Sequence, residues 1–212
     1  RVLFVNSAEK PVAGVKAVLC AKLDPNCDRP SEPTVSDADG YALVEIPDAF
    51  RGQIRVNEPP PGFDETFMKT GLITYPPTVK DETNATVLPS FAAGRPCSRN
   101  ELELPLALPG TNTEPGKSHI FGEVVDCNSR PLRGATIDAV PADPTRLVFL
   151  GDDSDTPSPT QKVTAGSAIF TYFNVVPGTV NLQATYGNAL WSRVELVTIP
   201  DVIMTLQLPP SP

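Results

Sequence analysis

Lys10-Pro11-Val12-Ala13-Gly14-Val15-Lys16-Ala17-Val18 returns later in the chain as Arg130-Pro131-Leu132-Arg133-Gly134-Ala135-Thr136-Ile137-Asp138. Each copy follows a β-rich run and leads, through a turn, into more β-rich sequence. The closing runs match as well: Leu104-Pro105-Leu106-Ala107-Leu108-Pro109 is echoed by Met204-Thr205-Leu206-Gln207-Leu208-Pro209. A pattern that recurs at domain length marks an array, and arrays of small all-β modules hold, space or bind more often than they catalyse.

Working outward, the composition supports β structure. The 212 residues include 25 prolines, and Val, Ile, Leu and Thr dominate the runs between prolines and glycines. Proline lacks a backbone donor and breaks helix ladders, while it suits edge strands, turns and linkers. The expected fold is all-β, two tandem Greek-key sandwiches: residues 1–109 as a first module, 110–118 as a linker rich in Pro, Gly, Thr and Asn, and 119–212 as a second module. Expected strands include Val2–Val5, Val12–Leu19, Gln53–Val56, Thr66–Tyr75, Asn84–Leu88 and Leu102–Leu108 in the first module. The second offers Ile120–Val125, Ala135–Val140, Ala168–Asn174, Val180–Tyr186, Ser192–Ile199 and Val202–Leu208.

The formal net charge is −8, with no dense run of Lys or Arg, which argues against nucleic acid and anionic membrane as partners. No apolar stretch reaches the ~20 residues of a transmembrane helix. The cysteines are four. Cys20 and Cys27 flank an Asp24-Pro25-Asn26 turn that can bring their sulfurs together; Cys97 and Cys127 remain, and a bridge between them would couple the two modules. A zinc site lacks any Cys-x-x-Cys spacing and has only His119 to draw on. Disulfides imply an oxidising compartment, so the expected location is secreted or cell-surface.

At the level of motifs, Gly122-Glu123-Val124-Val125-Asp126, Pro131-Leu132-Arg133-Gly134-Ala135 and Val176-Pro177-Gly178 in the second half resemble the carboxypeptidase regulatory-like, transthyretin-like domain of bacterial surface proteins. Pro11-Val12-Ala13-Gly14-Val15 and Ser36-Asp37-Ala38-Asp39-Gly40-Tyr41 carry the resemblance in the first. The first half lacks the leading glycine, with Leu3-Phe4-Val5 in its place, and the second has Ala165-Gly166-Ser167 where the family has an Asp-x-x-Gly turn. The resemblance implies a seven-stranded sandwich and an extracellular habit, and it implies little about activity.

Candidate sites are few. Asp37, Asp39 and Gly40 read as a hairpin turn, because the strand that follows leaves no further calcium ligands. Asp152, Asp153 and Asp155 form the densest acidic cluster and are the candidate metal ligands, against the competing reading of a solvated loop. His119 stands at the edge of the linker without a triad around it, so catalysis is not expected, nor is any cofactor. Trp191, with Tyr186 and Asn188, is the candidate ligand site: sugars stack on exposed rings and bond to nearby amides, although a lone Trp in a sandwich is more often core. Asn84-Ala85-Thr86 is a glycosylation sequon, meaningful only in a host that uses it. The strand Val2-Leu3-Phe4-Val5 is the candidate assembly contact, since an open edge can accept a neighbour's strand. The expected function is a non-catalytic extracellular structural or adhesive module, a spacer or a subunit of a cell-surface assembly or filament. Its expected partners are copies of itself or other surface proteins. The alternative is a polysaccharide-binding module centred on Trp191.

Overall fold

The structure, a computed structural model, describes residues 2–5, 10–47, 50–62, 67–73, 97–98, 113–128, 130–140, 147–150, 157–158, 164–166 and 168–210. All regular structure among them is β-strand. The chain divides into two compact units, Arg1–Glu101 with Val202–Thr205, and Leu102–Asp201 with Leu206–Pro212. The expected strands Asn84–Leu88 and Leu102–Leu108 lie outside the described residues.

The first unit holds β1 (Val2–Leu3), β2 (Lys16–Ala21), β3 (Thr34–Val35), β4 (Tyr41–Ala42), β5 (Gly52–Val56), β6 (Phe67–Ile73) and β7 (Cys97–Ser98). β1 pairs with β4 antiparallel, Val2 opposite Ala42. A second sheet runs β3-β2-β5-β6, with β7 also on β6 and Val202–Thr205 alongside β6 in parallel. Alternation along the strands sends Ala17 and Leu19 of β2, Ile54 and Val56 of β5 and Leu72 of β6 to one face. There they meet Val2, Phe4, Val12, Val15 and Ala42 in a single apolar cluster. The opposite face carries Cys20, Gln53 and Arg55, all buried.

The second unit holds β8 (Ser118–Val124), β9 (Ala135–Val140), β10 (Leu147–Leu150), β11 (Pro157–Ser158), β12 (Ile169–Val175), β13 (Gly178–Tyr186) and β14 (Ala189–Thr198); β15 (Val202–Leu208) ends in it. One sheet is ordered β11-β10-β12-β8-β15 and the other β14-β13-β9. The two sheets face each other, since the Tyr172 hydroxyl on β12 reaches the Ile137 carbonyl on β9 at 3.5 Å. Ile120, Phe170, Val180, Leu182, Leu196 and Leu208 fill the space between with almost no exposure. The strands β10 and β11 are additions to the expected set; β11 lies within the proline-rich polar insertion 151–159. Residues 113–118, expected as part of a linker, are tied into this unit: Glu114 N–H donates to Asn174 Oδ1 at 2.8 Å, Gly116 N–H donates to Asp201 Oδ1 at 2.8 Å, and Ser118 already opens β8.

The repeated motif has a physical purpose in each unit. In the first, Val5 bridges to Pro11, Val12 N–H donates to the Phe4 carbonyl, and Gly14 N–H donates to the Ser36 carbonyl. The Ser36 hydroxyl accepts from Val15 N–H at 2.9 Å and donates to the Val12 carbonyl at 2.8 Å. In the second, Val125 bridges to Pro131, Leu132 N–H donates to the Val124 carbonyl, and Gly134 N–H donates to the Thr164 carbonyl. The Thr164 hydroxyl accepts from Ala135 N–H at 3.0 Å and donates to the Leu132 carbonyl at 2.6 Å. Gly14 and Gly134 sit at φ +77° and +85°, the left-handed region that lets the chain turn back between proline and strand. Each hydroxyl thus serves a buried donor and a carbonyl that a sheet ladder does not reach.

The equivalence extends to the following turn. Phe4 N–H donates to the Gly40 carbonyl and Val124 N–H to the Ala168 carbonyl; Gly40 N–H closes onto the Asp37 carbonyl and Ala168 N–H onto the Ala165 carbonyl. Gly40 has φ 78° and Ala168 φ 55°. In the first unit Asp37 also accepts from Asp39 N–H at 3.0 Å and Tyr41 N–H at 2.9 Å. That carboxylate is therefore engaged in holding the turn, in line with the hairpin reading of this stretch.

Candidate functional site

The strands β13 and β14 are joined through Gly187 and Asn188, with Tyr186 opposite Ala189 and Gly187 at φ 61°. The register then shifts between Ala184 and Thr185, whose partners are Ser192 and Leu190, so Trp191 is the extra residue of a β-bulge. The bulge turns the indole out of the alternation. Its Nε1–H donates to the Val125 carbonyl at 3.0 Å, and its ring meets Tyr186 edge-to-face at 5.8 Å between centroids. Tyr186 remains 45% exposed and Leu190 53% exposed, and Asn188 is exposed at the tip. The structure therefore brings Tyr186, Asn188 and Trp191 together. It also commits the indole N–H to the fold, leaving a tyrosine ring and an amide as the accessible chemistry.

The disulfide loop is the other built feature. Cys20 and Cys27 are bridged, with Cα atoms 5.1 Å apart. Asp24 organises the loop, its carboxylate accepting from Asp28 N–H and Arg29 N–H at 2.9 Å each, and these bonds hold its pKa below the ordinary value. Arg55, buried beneath, donates from Nη1 to the Pro25 carbonyl at 3.2 Å. Burial lowers the guanidinium pKa from its ordinary value, against the opposing pull of Asp24. The bridge between Cys97 and Cys127 is not formed: Cys127 is free and exposed, carried outward on the turn that Asp126 closes by accepting from Asn128 N–H and Arg130 N–H.

Two further expectations change. His119 is not at a linker edge but fully buried in β8, where Nδ1 accepts from Asn174 N–H at 3.3 Å and the ring packs on Phe173. The Val2–Val5 segment is used within its own unit: Val2 and Phe4 fill the core, Leu3 lies opposite Tyr41, and both backbone groups of Phe4 are bonded. Asp152, Asp153 and Asp155 lie outside the described residues, and no metal-binding cluster occurs among the described ones. Among the described residues, no helix is long and apolar enough to cross a membrane.

Sequence reasoning missed the Ser36 and Thr164 hydroxyls. The available signal was their common position, four residues before the left-handed residues Gly40 and Ala168.

No protein-family model matches the chain, and no curated protein is similar to it. Among solved structures, the shaft pilin SpaA from Lactobacillus rhamnosus GG aligns over 96% of this chain and 90% of its own, at 11% identity and a TM-score of 0.29. A streptococcal ancillary pilin aligns over 100% of this chain and 61% of its own, at 12% identity and a TM-score of 0.29. Likeness at this level carries no argument about what the chain does.

Proposed function

We propose that this protein is a non-catalytic, extracellular structural or adhesive module, built from two tandem β-sandwich domains and acting as a spacer or a subunit of a cell-surface assembly. The observation that carries the reading is the repeated hydroxyl latch. The same bonds recur in both units, from Ser36 to Val12 and Val15, and from Thr164 to Leu132 and Ala135. What the repeat retains is a means of closing a small β fold, and the polar groups in it are occupied by backbone. The Cys20–Cys27 bridge supports an oxidising compartment.

The test is negative-stain electron microscopy of the chain purified from its native cell surface. Filaments or lattices support an assembly subunit; isolated particles that bear no partner would count against assembly and leave a spacer. A second reading, polysaccharide binding, draws on the exposed Tyr186 ring beside Trp191. It predicts that Tyr186→Ala abolishes retention on polysaccharide, and unchanged retention would dismiss it.

A further inference from the structure

After Ala21 the chain leaves β2 and crosses the disulfide loop before it is caught again. Lys22 N–H donates to the Arg51 carbonyl at the entry. At the exit Ser31 N–H donates to the Leu19 carbonyl, and the Ser31 hydroxyl accepts from Leu19 N–H at 2.9 Å. Between these anchors little is buried: Leu23 is 95% exposed, and Asn26, Asp28, Arg29 and Pro30 are exposed as well. The hydrogen bonds are mostly the loop's own, with Asp24 N–H on the Ala21 carbonyl, Cys27 N–H on the Asp24 carbonyl, and Asp28 and Arg29 N–H on the Asp24 carboxylate. Among the described residues, two ties join residues 23–30 to the strands beneath them. One is the Cys20–Cys27 bridge, and the other is the donation from Arg55 Nη1 to the Pro25 carbonyl at 3.2 Å.

Arg55 is only 3% exposed and shares its face of the sheet with Cys20 and Gln53. A cation held away from water is costly unless it is paired, and the loop supplies both a carbonyl and the favourable charge of Asp24. With so little apolar contact, the covalent tie is what keeps that cover in place. The bridged residues are seven apart, and short rings restrain the unfolded chain least, so the bridge acts locally. It also holds Cys27 at φ 61°, a left-handed conformation that a β-carbon disfavours and that release would relieve. We infer that the Cys20–Cys27 bridge is a redox latch over Arg55. Oxidised, it holds residues 23–30 down on the guanidinium; reduced, it lets them lift and admits water to the guanidinium, while β2 and β5 stay paired.

Cys20 has no exposure and Cys27 is half-buried, so the thiolate of a dithiol reductant attacks the Cys27 sulfur. The bond between the two cysteines breaks, and Cys20 leaves with the electron pair and takes up a proton. The second thiol of the reductant then displaces Cys27, which is protonated in turn. Two electrons and two protons pass to the bridge, and the reductant becomes a cyclic disulfide.

The test is modification of the full chain by phenylglyoxal, mapped by peptide mass spectrometry, with and without dithiothreitol. Arg29 and Arg51 are exposed and serve as internal standards. Modification of Arg55 should rise about tenfold or more on reduction relative to those standards. Amide hydrogen exchange at Leu19 and Ile54, opposite each other on β2 and β5, should remain slow. A chain with both Cys20→Ala and Cys27→Ala should be modified at Arg55 with or without reductant. Three results would each overturn the latch: Arg55 unreactive after reduction, Arg55 equally reactive before it, or protection at Leu19 and Ile54 lost with the bridge. The latch does not depend on assembly, so an absence of filaments on cells would fault the proposed function and leave this result standing.

Discussion

Replacing Ser36 with Ala removes one oxygen from a buried position and leaves two backbone groups stranded. Val15 N–H and the Val12 carbonyl both lose their partner, and Val15 is fully buried, so water cannot replace it without opening the unit. Each net hydrogen bond contributes about 1 kcal/mol, and each buried group left unsatisfied costs about 1–3 kcal/mol, which puts the total near ~2–4 kcal/mol. Thr164→Val is the parallel change, isosteric but without the oxygen that serves Ala135 N–H and the Leu132 carbonyl. It should cost about the same. Thr164→Ser keeps the hydroxyl and loses one methyl, at about 1 kcal/mol. The assay is urea unfolding with amide hydrogen exchange resolved at Val15 and Ala135. Ser36→Ala should abolish protection at Val15, and Thr164→Val should abolish it at Ala135. A loss under about 0.5 kcal/mol, with the Val15 amide still protected, would refute the claim that the hydroxyl closes the motif.

The turn that follows gives a paired prediction: Ala168→Gly relieves a left-handed alanine and should stabilise by about 0.5–1 kcal/mol after the flexibility of glycine is counted. Gly40→Ala should destabilise by about 2 kcal/mol or more, since the new Cβ would also stand 2.5 Å from the Phe4 carbonyl oxygen; thermal melts read both. Cys20→Ser closes no loop in the unfolded chain and should cost about 2.5 kcal/mol, seen equally in the wild type on adding reductant. Glu123 is buried beside Gln207, which donates to it at 3.0 Å, yet burial outweighs that bond and raises its pKa above the ordinary 4.5. The folded state therefore holds the proton more tightly than the unfolded state, so the contribution of this group to stability is fully present below pH 4.5 and is lost as pH rises through the folded-state pKa. Glu123→Gln should flatten that decline and raise the melting temperature at neutral pH; a decline of unchanged slope would assign it to other groups.

Much of the fold was legible because local chemistry and tertiary use agree. Ala135–Val140 and Val202–Leu208 have the bounds that alternation and flanking turn residues indicate, and the Asp24-Pro25-Asn26 turn does bring Cys20 to Cys27. What failed to show shares a cause: a residue's type does not reveal which of its uses the fold adopts. The Val2–Val5 run is apolar in a core strand for the same reason it would be apolar in an interface, and only the burial of Val2 and Phe4 separates the two. Trp191 reads in sequence as core or as ligand site, and the structure shows it half-buried on a bulge that directs its N–H to the Val125 carbonyl, a use the sequence does not announce.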